Sequence, residues 1–446
     1  MNPATFGWAT IIRLGLVQTM LGAIIVLMTS TINRVMVVEL ALPAVIPGLL
    51  VALHYAIQIL RPAWGYGSDV GGRRTPWIIG GMAALALGGM GAALGTALTA
   101  SSRPLGVMVA TLSFLLLGIG AGSAGTSVLA MLATHVEPRR RAFAASVVWM
   151  MMILGFAISA PLAGSFLDPF SNTRLVAVTS IICAIAFTVA TLAVWGIETV
   201  PAVAKELGPR PAAKPPFRQA LAEVWREPGA RRFTVFIFVS MLAYGAQELL
   251  VEPFAGLVFG MSPGSTTKLA GLQHGGVFVG MVGVAILASA IGGRVLGSLR
   301  GWTIGGCVSS ALSLSAIATV GFLSLGPDAF RAAVFALGVS NGAFAVAAIG
   351  SMMGLAATSA GSREGMRMGL WGAAQAIAFG LGGLAATVSV DLARAFAASP
   401  LVAYASVFTM ESALFIAAAI LASQVGRDSY KDQNALAPRS ALAVGP

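Results

Sequence analysis

Long apolar runs separated by short polar stretches set the frame of this 446-residue chain. Twelve of them fall at about 14–33, 43–62, 76–98, 104–132, 142–166, 173–197, 232–258, 270–293, 302–324, 330–358, 367–393 and 402–425. Each is near the roughly 20 apolar residues that a helix needs to cross a hydrocarbon core. None alternates strictly between apolar and polar as a barrel strand would, and lipid admits only helices and closed barrels as spanning structures. The pattern predicts an all-α polytopic membrane protein of twelve helices.

The longest polar interruption, ETVPAVAKELGPRPAAKPPFRQALAEVWREPGARRF, lies between the sixth and seventh runs and divides them six and six. The expected organisation is a first six-helix bundle over 1–198, a linker over 199–231, a second bundle over 232–426 and a polar tail over 427–446. In the linker, Phe217, Leu221, Val224 and Trp225 recur at helical spacing, with Arg218, Glu223 and Arg226 elsewhere. This predicts a short amphipathic helix, either lying along the membrane surface or solvated. The halves also echo one another: VVELALP (Val37 to Pro43) closes the first run and LVEPFAG (Leu250 to Gly256) the seventh.

Composition agrees with the membrane reading: 57% of residues are hydrophobic, and 10% are charged against about 25% in soluble domains. The net charge of +11 changes the picture only through its placement. With a cytoplasmic N-terminus, Arg34, Arg103, Arg174, Lys268, Arg331 and Arg394 are the six of 27 basic residues left on the outer side. That is the positive-inside bias, so both termini are expected in the cytoplasm. The basic surplus reads as a topology signal and as contact with anionic lipids, not as a nucleic-acid footprint. Arg13 precedes the first run and no small-residue cleavage pattern follows it, so that run is expected to be a retained helix. Cys183 and Cys307 lie inside apolar runs without partner spacing and are expected to pack, with no metal held by the protein.

Between the second and third runs lies RPAWGYGSDVGGRRTP (Arg61 to Pro76). Its Gly65, Asp69, Gly72, Arg73 and Arg74 resemble the G-x-x-x-D-R-x-G-R-R loop of the major facilitator superfamily, with Val70 where that family has a basic residue. The resemblance implies two pseudo-symmetric six-helix bundles with a ligand site between them, and a cytoplasmic latch at this loop. The matching loop of the second half, GGRVLGSLRG, has Arg294 and Arg300 but no Asp.

Four further strings narrow the branch: TINRVMVVELALP, GAQELLVEPFAGLVFGM, SNGAFAVAAIGSMM and RMGLWGAAQAIAFGLGG. They are similar to the bacteriochlorophyll delivery branch, the PucC/LhaA type of light-harvesting assembly protein, through nearly the whole chain. The compact loop is most similar to the subgroup labelled as a bacteriochlorophyll synthase chain. This resemblance implies bacteriochlorophyll as cargo or ligand. It implies light-harvesting or reaction-centre polypeptides, or the synthase, as partners.

Such a pigment offers a Mg ion wanting an axial ligand, an apolar ring and carbonyl acceptors. His54, Gln58 and Arg61, at i, i+4 and i+7, share one face of helix two and are candidates to bind it. An intramembrane His is costly and points to function, though it can also bond to a neighbouring helix. His274, beside Gln273 near the outer end of helix eight, is a second candidate; His135, in a loop, is expected to be solvated. Arg34, Glu39, Glu248 and Glu252 form an expected charged network at outer helix ends. Glu248 and Glu252 share a face, and either couple to protons or form a structural pair where Pro253 ends the helix. Five residues separate Arg34 from Glu39, which predicts different partners for each, with a helix-seven Glu for Arg34. Glu411 is a lone intramembrane acid without an evident partner.

Two other classes remain open. A secondary transporter would fit Gly155-FAISA-Pro161-LA-Gly164, which partly resembles an antiporter signature. A prenyl-transferring enzyme would need Asp-rich helices holding Mg-diphosphate, and the D-x-x-x-D here, Asp428 to Asp432, sits in the tail.

Overall fold

The computed structural model describes residues 6–61, 64, 73–198, 225–290, 298–357, 364–397 and 399–424. Gly65, Asp69, Val70 and Gly72 of the loop signature, Phe217, Leu221 and Val224 of the linker, Arg294, and Asp428 and Asp432 of the tail lie outside the described residues.

The apolar runs become twelve helices: α1 (Trp8–Glu39), α2 (Val45–Ile57), α3 (Thr75–Thr99), α4 (Arg103–His135), α5 (Pro138–Leu167), α6 (Asn172–Val194), α7 (Pro228–Phe259), α8 (Pro263–Ala290), α9 (Leu299–Phe322), α10 (Pro327–Ala357), α11 (Glu364–Phe396) and α12 (Pro400–Gln424). Eleven are long and apolar enough to cross a membrane; α2 with its tightened last turn, Val45–Leu60, is a shorter apolar helix. The chain is a multi-pass membrane protein, and outward-facing Leu87, Leu112, Leu192 and Leu312 show the apolar exterior that lipid requires.

Each half repeats one packing scheme. Helix α1 packs on α5 and α6, α3 on α4 and α6, and α2 on α4; six helices later, α7 packs on α11 and α12, α9 on α10 and α12, and α8 on α10. Each half has its own core, one around Ile24, Leu85, Phe114 and Val128, the other around Phe236, Phe254, Phe344 and Phe408. The halves meet along two symmetry-related seams, α2 with α11 and α5 with α8.

Small residues bring these helices together, because lipid supplies no hydrophobic drive between them. At the α2–α11 seam, a Cβ on Gly48 would lie 2.1 Å from Thr387 Oγ1; at the α5–α8 seam, one on Gly164 would lie 2.5 Å from the Gly264 carbonyl oxygen.

Helices α1 and α7 each interrupt regular α bonding where they approach one another. In α1, Leu27–Ile32 and Val35–Glu39 are π-helical. In α7, Pro253 lies inside the helix, which runs on to Phe259 and is capped by Gly260 at φ +63°. The expectation that Pro253 ends α7 is corrected: Asn33 Nδ2 of α1 donates at 2.8 Å to the Leu249 carbonyl, four residues earlier, which the missing proline N–H leaves free.

Candidate functional site

On the face that the charge pattern assigns to the outside, the halves are fastened by side chains of one half capping backbone of the other. Asp391 of α11 accepts from the Ala44 and Val45 N–H groups at 3.0 and 2.7 Å, where α2 begins without a side-chain cap of its own. Asp168, after α5, accepts from the Ser262 hydroxyl at 2.6 Å and the Gly264 N–H at 3.1 Å, where α8 begins. These contacts are related by the pseudo-twofold, and each sets a carboxylate against a helix N-terminus, where unpaired N–H groups and the helix dipole favour it. Neither Asp figured in the sequence reading. The available signal was their matching place, near the outer end of the fifth helix of each half.

Between the two clasps lies the expected charged network, differently wired. Arg34 pairs with Glu39 after all, because π-type i→i+5 bonding brings residues five apart onto one face, as i→i+4 bonding would not. Its other terminal nitrogen donates to the Met261 carbonyl at 2.7 Å, bridging α1 to the α7–α8 turn. Glu252 is buried within electrostatic reach of Arg34 without an ion-pair contact to it. Thr31 and Thr267 hydroxyls meet at 3.0 Å one turn deeper.

Glu248 belongs elsewhere. One turn inward on α7, it is half-buried and within electrostatic reach of Tyr55 of α2 and Tyr244 of α7. Phe379 of α11 stands between these tyrosines, with ring centroids 5.6 Å from Tyr55 and 5.4 Å from Tyr244. An aromatic run bearing two hydroxyls and a carboxylate thus crosses from one half to the other at mid-helix depth. None of Tyr55, Tyr244 or Phe379 was singled out from sequence, since isolated aromatics in apolar helices carry no signal of which seam they will meet.

His54, Gln58 and Arg61 do share a face, and they bond to each other. The Arg61 guanidinium donates to Gln58 Oε1, which turns the Gln58 amide NH₂ toward His54 Nε2 at 3.0 Å. The imidazole lone pair at Nε2 is therefore engaged, and His54 Nδ1 is buried without a partner among the described residues. His274 lies eleven residues into α8, at mid-helix rather than at the outer end. It packs edge-on against Phe156 of α5, centroids 4.7 Å apart, in the α5–α8 seam, and its Nδ1 has no hydrogen-bond partner among the described residues. Trp149, Met150, Met152, Ile153, Phe278 and Met281 continue that seam as an apolar, polarisable surface.

At the opposite face, Arg74 is tied to its own half: its guanidinium donates to the Ala130 carbonyl of α4 at 2.9 Å, while Arg73 is exposed. The N-terminus of α3 is capped by Glu198, which accepts from the Arg74 and Thr75 N–H groups at 2.9–3.0 Å. Burial raises the Glu198 carboxyl, and these backbone donors outweigh it, holding the group below the usual carboxylate range. His135 is not simply solvated: its ring stacks on Phe6 at 4.6 Å.

Comparison with known proteins places this geometry. In sequence the chain is 52% identical, over 94% of its length and 96% of the relative's, to a protein of Rhodobacter capsulatus named bacteriochlorophyll synthase 44.5 kDa chain. It is 32% identical to Protein PucC of Rhodovulum sulfidophilum over 60% of this chain and 62% of that one. In fold it is similar to a proton-dependent oligopeptide transporter (TM-score 0.70, 13% identity, 94% and 98% of the chains). It is also similar to the nucleoside transporter NupG (TM-score 0.64, 11% identity, 96% and 100%). The fold is that of the major facilitator transporters. A family model described as PUCC protein matches residues 31–430, and the chain belongs to the PUCC family.

Proposed function

We propose that this protein holds bacteriochlorophyll within the membrane and hands it over during assembly of light-harvesting or reaction-centre complexes, and that it is not itself a catalyst. The observation that carries the reading is the 52% identity, across 94% of the chain, to a relative named for bacteriochlorophyll. The transporter-type fold supports carriage over catalysis, and we take the synthase in that relative's name as a partner of the carrier. The positive-inside charge pattern supports an inner-membrane location with both termini in the cytoplasm.

The seams between the halves suit a wide apolar ring with a few polar edges. Tyr55, Phe379 and Tyr244 offer aromatic faces, and the tyrosine hydroxyls can donate to ring carbonyls. For the axial position of the pigment's Mg ion, His274 fits better than His54, because Gln58 occupies the Nε2 lone pair of His54 while His274 Nδ1 has no hydrogen-bond partner among the described residues. With the outer face clasped, the ring enters and leaves from the other face or sideways between helices. Fold-level likeness to peptide and nucleoside transporters says nothing of cargo.

The test is a titration of purified, pigment-free protein with bacteriochlorophyll, followed at the pigment's long-wavelength band. Saturation near one pigment per chain is expected, with His274→Leu shifting the band and weakening binding while His54→Leu does neither. A band that shifts as it does in empty detergent, with no saturation, refutes the proposal.

A further inference from the structure

Deep in the second half, Gln247 of α7, Asn341 of α10 and Glu411 of α12 are each fully buried. Both side-chain polar atoms of Gln247, both carboxylate oxygens of Glu411 and the Asn341 amide nitrogen have no hydrogen-bond partner among the described residues. Orphaned polar atoms at this depth are expensive, and an unpaired carboxylate is the most expensive.

Ring contacts place all three at one level. Phe344 of α10 touches Tyr244 of α7 at 6.3 Å and Phe415 of α12 at 6.0 Å between centroids. From this layer Gln247 lies three residues onward in α7, Asn341 three residues back in α10 and Glu411 four residues back in α12. Because α7 runs opposite to α10 and α12, all three steps go toward the outer face, by about 4.5–6 Å of helical rise. A second aromatic layer closes the other side, where Phe254 of α7 meets Tyr404 and Phe408 of α12 at 5.9 and 5.3 Å. Helical periodicity puts Gln247 on the Phe254 face of α7 and Glu411 on the Tyr404–Phe415 face of α12. From α9, the Ser310 hydroxyl donates to Asn341 Oδ1 at 2.9 Å.

We propose that these three residues form a binding site for one monovalent cation, a proton or a sodium ion, held by the Glu411 carboxylate and completed by the Gln247 and Asn341 amides. One carboxylate among neutral oxygen donors balances a single positive charge, and suits a hard cation over a transition metal. Among the described residues no side chain hydrogen-bonds to either Glu411 oxygen. The same registry sets Gln247 of α7 and Asn341 of α10, with Ser310 of α9 bonded to it, at the level of Glu411. On α12 itself, Tyr404 lies two turns outward, within reach of Asp391 and Arg394 of α11. The site joins α7, which lines the seam between the halves, to α10 and α12. Loading is therefore positioned to alter how α7 presents Tyr244 and Glu248 to the other half.

The proposal rests on the fold and these residues, not on the cargo, so pigment binding and cation binding can fail separately. The experiment uses the full chain in lipid nanodiscs. A sodium site predicts a thermal midpoint that rises and saturates as sodium replaces choline at constant chloride, a response lost in Glu411→Gln. A proton site predicts no sodium effect, and a protonated-carboxyl infrared band that titrates with pH and disappears in Glu411→Gln. Should that variant not fold, Gln247→Leu and Asn341→Leu keep the carboxylate, and each is expected to move the sodium or proton midpoint by about tenfold. A sodium response that survives in Glu411→Gln overturns the proposal. So does folded protein showing neither a sodium effect nor a titrating band.

Discussion

Asn33 shows how a single polar side chain permits an otherwise unfavourable residue. Pro253 is accommodated inside the last two turns of α7, where Asn33 reaches across from the other half to the carbonyl that the proline leaves free. Asn33→Ala is expected to cost about 1–3 kcal/mol, the price of a buried, unmet acceptor. In a Pro253→Ala background, where the N–H of residue 253 can satisfy Leu249, the same change should cost much less; equal costs in a double-mutant thermal series would disprove the link. Arg34→Met should destabilise more than Glu39→Gln, since Arg34 is buried and also holds the Met261 carbonyl, whereas Glu39 is a third exposed. Glu198 gives a pH test of known sign. Its folded carboxyl titrates below its unfolded one, so its stabilisation is present above the ordinary carboxylate range and is lost as pH falls through the folded value. Thermal melts from neutral to acid pH should fall less steeply for Glu198→Gln than for the native chain; matching slopes would show that the cap carries no stability.

At the scale of helices, apolar run length made nearly every element legible in the sequence, because the hydrocarbon thickness sets one length for all of them. What sequence periodicity could not supply was local winding. The spacing of Arg34 and Glu39 was read with α geometry, and only the π turns of Val35–Glu39 make them partners. The His54, Gln58 and Arg61 face was legible for the opposite reason, since that stretch of α2 keeps helical spacing through its tightened end. The seams were not legible: Gly48 and Gly164 look like any of 54 glycines until Thr387 and Gly264 are seen against them. Gly48→Leu or Gly164→Leu should wedge its seam apart and raise hydrogen exchange in both helices of that seam while sparing the α3–α4 pair. Exchange confined to the mutated helix would argue against close packing at the seam.

For the whole molecule, the six-plus-six division followed from the linker, and the internal repeat emerged as a repeated packing scheme far clearer than the faint VVELALP and LVEPFAG echo. The paired Asp168 and Asp391 clasps fasten the halves at the face that the charge pattern assigns to the outside. Asp168→Asn with Asp391→Asn should therefore raise labelling of a Ser30→Cys probe by an impermeant thiol reagent, by roughly tenfold for about 1.4 kcal/mol of lost clasp energy. Native Cys183 and Cys307 are buried and serve as silent controls; unchanged labelling would mean that the clasps do not hold this face shut. The most direct measurement of function is the absorption spectrum of the native protein, purified in mild detergent from a phototrophic host. A carrier predicts a long-wavelength bacteriochlorophyll band near one pigment per chain that moves to acceptor polypeptides when they are added, whereas a colourless protein, or a band that washes away with detergent exchange, would contradict it.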